Sequence, residues 1–234
     1  MPFRPVPTFV AGLVALSLST AMAQAIDSTH ATQFSRIEVT GNVKVHVTGG
    51  DVYSITETGK DNGVEIRHET GTLVIQREAP KWTWGGVKTA ARGETQVVHV
   101  SLPYLKGIEL HDGAAATVSG MLTKDLNAVV KQGGRLDVEN LDAAEVRLLA
   151  HRGAVITASG MCEALDVTAT QGARIDVAQL ECGSGEFSAS LGAEVLAKVD
   201  EARHVSASLG ALVDLQGGAR VTHADIGVGS ELRK

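Results

Sequence analysis

The feature that most constrains the fold is a repeat of about 20 residues in the second half of the chain. Each repeat carries a glycine, and these glycines stand at positions 113, 133, 153, 172, 192, 210 and 229. Their spacing of 18 to 20 residues is too short for a propeller blade or a pair of helices. A small residue follows the glycine every time, which indicates a bend with a crowded inner side.

The residues on both sides of each glycine alternate between apolar and other side chains, as strands do. Leu136 and Ile156 occupy equivalent apolar positions after the glycine, and Asp137 and Thr157 occupy the polar position that follows. Residues 165–169 alternate in the same way before a glycine. Equivalent strands stacked about 4.8 Å apart would pair their backbones and bury an aliphatic column. The sequence therefore predicts an all-β, single-domain parallel β-solenoid, or β-helix, with a β-sandwich as the alternative.

Composition agrees with a narrow core and limits the partners. The chain is 44% hydrophobic but only 3% aromatic, and it contains 26 glycines. Small and β-branched side chains around many tight turns are therefore expected. The formal net charge is −6, and no cluster of Lys or Arg is present, so we expect no nucleic-acid partner.

The N-terminus has the three parts of a secretory signal peptide. Arg4 precedes an apolar run over residues 9–18, and small residues with an A-x-A pattern end near residue 25. We predict a signal peptide over 1–25, a short linker over 26–33 and the solenoid domain over 34–234. The mature protein is expected in the periplasm, on the cell surface or in the medium, without a transmembrane segment.

The first part of the domain is less regular than the second. Residues 34–79 alternate like strands and are predicted to form the opening coils. Residues 80–95 break this pattern and are predicted to form a long loop that contains Trp82 and Trp84. The two rings are a candidate ligand-binding pair that could stack on a sugar, and the alternative is a lid packed on the solenoid.

The two cysteines stand at nearly the same place in adjacent repeats. Stacked coils would bring the Cα atoms of Cys162 and Cys182 to about 5 Å, within disulfide range, and an exported protein can oxidise them. The alternative is two unpaired thiols in the aliphatic column.

Two polar sets raise the question of chemistry. His204 and His223 are equivalent positions near Glu186 and Asp225, but their spacing follows from the repeat, so we expect no metal site. Asp137, Asp176 and Asp214 recur on the outside and suit surface ion pairs with neighbouring arginines better than an acid/base pair. We expect no catalytic residues and no cofactor.

The arrangement resembles the head GIN domain of putative auto-transporter adhesins over about residues 34–230. The resemblance rests on residues 34–41, 43–47, 71–75 and 97–103 and on the repeated Gly-Ala coils. It implies a parallel β-solenoid outside the cytoplasm, and the family name suggests adhesion without specifying a ligand.

The expected function is an exported, non-catalytic module with an adhesin-like binding role or a structural role. Its expected partner is a glycan or another macromolecule of the envelope or cell surface. The alternatives are a polysaccharide-acting β-helix enzyme and an envelope subunit that self-associates through an uncapped terminal coil.

Overall fold

The computed structural model describes residues 33–59, 63–77 and 96–234, and within these ranges the chain forms strands, turns and bends without a helix. The expected signal peptide at 1–25, the linker at 26–33 apart from its last residue, and the predicted loop at 80–95 with Trp82 and Trp84 lie outside the described residues. The described residues therefore include no helix that is long and apolar enough to cross a membrane.

The strands belong to one continuous sheet. They are β1 (Arg36–Thr40), β2 (Lys44–Gly49), β3 (Ser54–Thr58), β4 (Val64–Glu69), β5 (Thr72–Arg77), β6 (Val97–Leu102), β7 (Gly107–His111), β8 (Ala115–Ser119), β9 (Leu122–Lys131), β10 (Arg135–His151), β11 (Val155–Thr170), β12 (Arg174–Ser190), β13 (Glu194–Ser208), β14 (Leu212–Gln216), β15 (Arg220–Val221), β16 (Ala224–Ile226) and β17 (Glu231–Arg233).

The sheet winds into the predicted parallel β-solenoid, and each coil has two faces. Face A follows the glycine turn and contains, in spatial order, β3, β6, β2, β8, the first parts of β10 to β13, β14 and β17. Face B precedes the turn and contains β4, β5, β1, β7, β9, the second parts of β10 to β13, and then β15 and β16.

The core is a set of apolar columns that run through the stack. Leu136, Ile156, Ile175 and Val195 are register partners in successive coils, and all four are fully buried. Buried alanine occupies most of the positions that directly follow the turn glycine, namely 114, 154, 173, 193 and 211. The aliphatic composition predicted such a narrow core, and its burial supplies the main stabilising term.

The glycine corner is a turn of two residues, here called the corner turn. At Gln132 and Gly133 φ is 53° and 73°, and the N–H of Gly134 donates to the carbonyl of Lys131 at 3.1 Å, as in a type I′ turn. A type I′ turn requires positive φ at both central residues, so the residue before the glycine adopts it too.

The opening of the domain differs in part from the prediction of irregular coils over 34–79. Strands β1, β2 and β5 join the parallel stack, whereas β3 runs antiparallel to β6 and β4 runs antiparallel to β5. Strands β3 and β4 thus cover the N-terminal end of the two faces. Strand β4 carries charged residues on its outer side, which suits an edge that must not pair with other chains.

The C-terminal end has no such cover in the described structure. Strands β15, β16 and β17 contain two or three residues each and are mostly exposed. Their backbones pair with β13 and β14 on one side only, so the last coil leaves an open edge.

Candidate functional site

The two cysteines form a disulfide between adjacent coils. Cys162 of β11 and Cys182 of β12 are register partners, their Cα atoms are 4.5 Å apart, and their sulfurs are bonded. Beside them, the Lys198 ammonium donates to the Glu181 carboxylate at 2.5 Å, and this contact lowers the pKa of Glu181. The cross-link therefore joins two coils whose strands are already paired in register at the two cysteines.

Removing this cross-link should destabilise the solenoid. We expect the Cys162→Ala/Cys182→Ala variant to lose about 3 kcal/mol of unfolding free energy, because the unfolded chain regains the freedom of a loop of about 20 residues. Urea denaturation with and without dithiothreitol measures the loss. The reductant should weaken the native protein and leave the variant unchanged; equal midpoints for oxidised native protein and variant would contradict the prediction.

Asp137 and Asp176 of face A lie in ion pairs and hydrogen bonds on the surface. Asp137 accepts from Arg135 at 3.1 Å and from the hydroxyl of Thr157 at 2.5 Å. Asp176 lies 3.6 Å from Arg174, which also pairs with Glu194. These side chains are substantially exposed, so the pairs contribute little to stability.

Face B carries a regular patch of hydroxyl groups that was not predicted from the sequence, here called the hydroxyl array. It consists of Thr168, Thr170, Ser188, Ser190, Ser206 and Ser208. They are outward positions of three adjacent strands in register, and the alanines between them are buried. The signal in the sequence is the triplet T-A-T followed by S-A-S twice, one repeat apart.

The hydroxyl array borders the corner turns, where apolar side chains are exposed. Leu191 and Leu209 follow Ser190 and Ser208 directly, and each has φ of 55°. Their exposed fractions are 47% and 61%. A left-handed conformation costs a residue with a Cβ about 1 kcal/mol or more, and asparagine, aspartate or glycine suits it better. Core packing does not account for leucine at these exposed positions.

The segment with the two tryptophans joins the solenoid in the opening coils, between β5 and β6. Strand β5 ends at Arg77 and β6 begins at Val97, which lie at the ends of the two faces that a corner turn joins in later coils. The two ends of this segment therefore belong to face B and face A of the opening coils.

Two histidine pairs stack across neighbouring strands. The rings of His204 and His223 are 5.2 Å apart at 17°, and those of His46 and His99 are 5.3 Å apart at 16°. The first pair has a carboxylate beside it: Asp225 Oδ2 lies 3.3 Å from His223 Nε2 and 3.9 Å from His204 Nε2. Glu186 is the register partner of His204 in the preceding coil. The repeat thus brings together the histidines and Asp225, as their spacing indicated.

The family model described as "Putative auto-transporter adhesin, head GIN domain" matches residues 33–219. Among solved structures, an adhesin described as putative from Bacteroides fragilis is 16% identical, with a TM-score of 0.68. A lipid-binding protein, also described as putative, from Parabacteroides distasonis is 11% identical, with a TM-score of 0.61. In both comparisons the match covers 87% of this chain and 93% of the other.

A further structure, of another adhesin from Parabacteroides distasonis with the same qualifier in its description, is 16% identical, with a TM-score of 0.60 and coverage of 87% of this chain and 93% of the other. A search of curated proteins finds no match. The TM-scores show that these proteins share the fold of this chain. Their descriptions name two different roles, adhesion and lipid binding.

Proposed function

The chain belongs to the family of putative auto-transporter adhesins that share the head GIN domain, and on that premise we propose that it is an exported, non-catalytic module that binds a surface glycan. The predicted signal peptide supports export to the periplasm, the cell surface or the medium. The disulfide between Cys162 and Cys182 suits an oxidising compartment of that kind.

The observation that carries the proposal is the hydroxyl array with its apolar border. Thr170 shares a hydrogen bond with His151 Nδ1 at 2.5 Å. A hydroxyl group can both donate and accept, so a row of such groups matches the hydroxyl groups of a neutral saccharide. Leu191 and Leu209 provide the apolar contact that the C–H face of a sugar ring requires. The same position of the turn is polar in the earlier coils, at Asp112, Gln132, Arg152 and Gln171, so the exposed leucines are confined to the coils that border the array.

Trp82 and Trp84 extend this proposal. Their segment is attached at β5 and β6, five strand spacings or about 24 Å from β11, and indole rings stack well on sugar rings, so they could contact a further ring of an extended saccharide. We therefore include both tryptophans in the proposed binding surface.

The contacts on face A favour binding over polysaccharide cleavage. Asp137 and Asp176 are two coils apart, about 10 Å by strand spacing, at the upper end of the range for a pair of catalytic carboxylates. Both are also engaged by arginine side chains on an open surface. The open edge of the last coil favours self-association as a second role, for which light scattering should show a mass that rises with concentration.

A glycan array with the purified full chain tests the proposal. We expect binding to a neutral saccharide, and loss of two hydroxyl groups in Ser188→Ala/Ser206→Ala should weaken it about tenfold. The Trp82→Ala/Trp84→Ala variant should weaken it at least as much. The matched control is Ser101→Ala/Ser119→Ala, which removes two hydroxyl groups from face A and should bind normally.

Three results would overturn the proposal. The first is a folded protein that binds no glycan. The second is equal loss in the control and array variants, which would place the contact elsewhere. The third is binding to phosphatidylcholine vesicles without glycan binding, which would favour the lipid recognition named for one structural neighbour.

A further inference from the structure

We propose that His204, His223 and Asp225 form a binding site for a divalent transition-metal ion of the zinc type, which would fasten the last coil to the rest of the solenoid. Their candidate ligand atoms all lie within 4.8 Å of one another. Among the described residues, this is the one group of at least three His, Cys, Asp or Glu side chains that are this close together. Imidazole and carboxylate are ligands that Zn²⁺ accepts.

The distances suit one ion between the three side chains. Two ligands at normal zinc distances in tetrahedral geometry are about 3.3 Å apart. His223 Nε2 and Asp225 Oδ2 already have that separation, at 3.3 Å. His204 Nε2 lies 3.9 Å from Asp225 Oδ2 and must approach it by about half an ångström. All three side chains are substantially exposed, so an ion can reach them and water can complete the coordination.

The elements that carry the ligands give the site a structural consequence. His204 belongs to β13, whereas His223 and Asp225 lie just before and within β16 of the last coil. Strand β16 is held to β13 by a ladder of three residue pairs, and its side chains are exposed. A metal ion would add a bond between these two coils at the open end of the stack. The site adjoins the hydroxyl array on face B, since Asp225 is the register partner of Ser206, but its ligand is a metal ion and the residues that bind it are not those of the proposed glycan contact.

The second histidine pair of the chain supplies a matched control. His46 and His99 stack with nearly the same geometry, but His99 Nε2 lies 3.3 Å from the hydroxyl of Thr58, which takes the place of a carboxylate neighbour. Both places therefore have a pair of stacked imidazoles, but an acidic side chain lies within reach of both rings at His204 and His223, where Asp225 is adjacent.

Isothermal titration of the untagged full chain with ZnCl₂ tests the site. We expect one strong site, weakened at least about tenfold by His223→Ala or Asp225→Asn and unchanged by His46→Ala/His99→Ala. Zinc should also slow hydrogen exchange over residues 220–226 in the native protein and not in His223→Ala. Circular dichroism checks that each variant is folded.

The proposal fails if the folded native protein does not bind Zn²⁺. It also fails if His223→Ala binds as tightly as the native protein, or if the His46→Ala/His99→Ala variant loses binding to the same extent. Zinc binding that leaves hydrogen exchange over 220–226 unchanged would overturn the role in fastening the last coil.

Discussion

Replacing Gly160 with alanine should leave most of the protein unfolded. Gly160 lies in β11 at the second bend of its coil, opposite Leu141 of β10, and its φ is 130°. A Cβ there would lie 2.6 Å from the backbone nitrogen of Leu141 and closer still to its carbonyl oxygen. Both partners are backbone, so no side-chain movement can relieve the overlap, and we expect a loss of more than about 4 kcal/mol. Soluble yield and thermal denaturation followed by circular dichroism measure it.

Gly153 provides the control for this substitution. It also has positive φ, 69°, but no atom lies within 4 Å of a Cβ built on it. Gly153→Ala should therefore lose only the conformational cost of a left-handed residue, about 1 kcal/mol. Equal losses in the two variants would contradict the steric explanation for Gly160.

Truncating Phe187 should have the second largest effect. Phe187 is 1% exposed and lies inside face B, in a column with Leu148, Val167 and Val205. Gly185 leaves space for it, since a Cβ at Gly185 would lie 2.5 Å from the phenyl ring. Because Gly185 has no side chain that could fill the space, Phe187→Ala would open a large cavity. We expect the substitution to reduce the unfolding free energy by about 3–5 kcal/mol.

Urea denaturation of Phe187→Ala measures this loss, with Phe187→Leu as the control that keeps most of the volume. The leucine variant should lose clearly less, because the remaining cavity is smaller. A loss below about 1 kcal/mol for Phe187→Ala would show that the coil collapses around the missing ring.

The regular part of the fold could be predicted because one backbone period determines which residues are neighbours. In a parallel stack, a spacing of about 20 residues places Leu136 beside Ile156, and the same period places Cys162 beside Cys182. It also brings His204 beside His223. The core columns, the disulfide partners and the histidine pair follow from the glycine spacing without knowledge of the three-dimensional structure.

Strand direction and surface function could not be predicted in the same way. Alternation of apolar and polar residues is identical in parallel and antiparallel strands, so nothing in β3 or β4 indicated that they would run antiparallel. The serines of the hydroxyl array look like any outward positions until their strands are aligned. Trp82 and Trp84 remain a prediction, since they lie outside the described residues.

The disulfide also has a consequence for how the repeats find their correct neighbours. Coils of similar length and pattern could pair one whole repeat out of place and still bury apolar side chains. If β12 paired with β10 in place of β11, Cys182 would lie beside Ala143, and the cross-link could not form. The two cysteines therefore distinguish the native pairing of β11 with β12 from pairings shifted by one repeat. Oxidation would covalently fix only those chains whose repeats are paired in the native order.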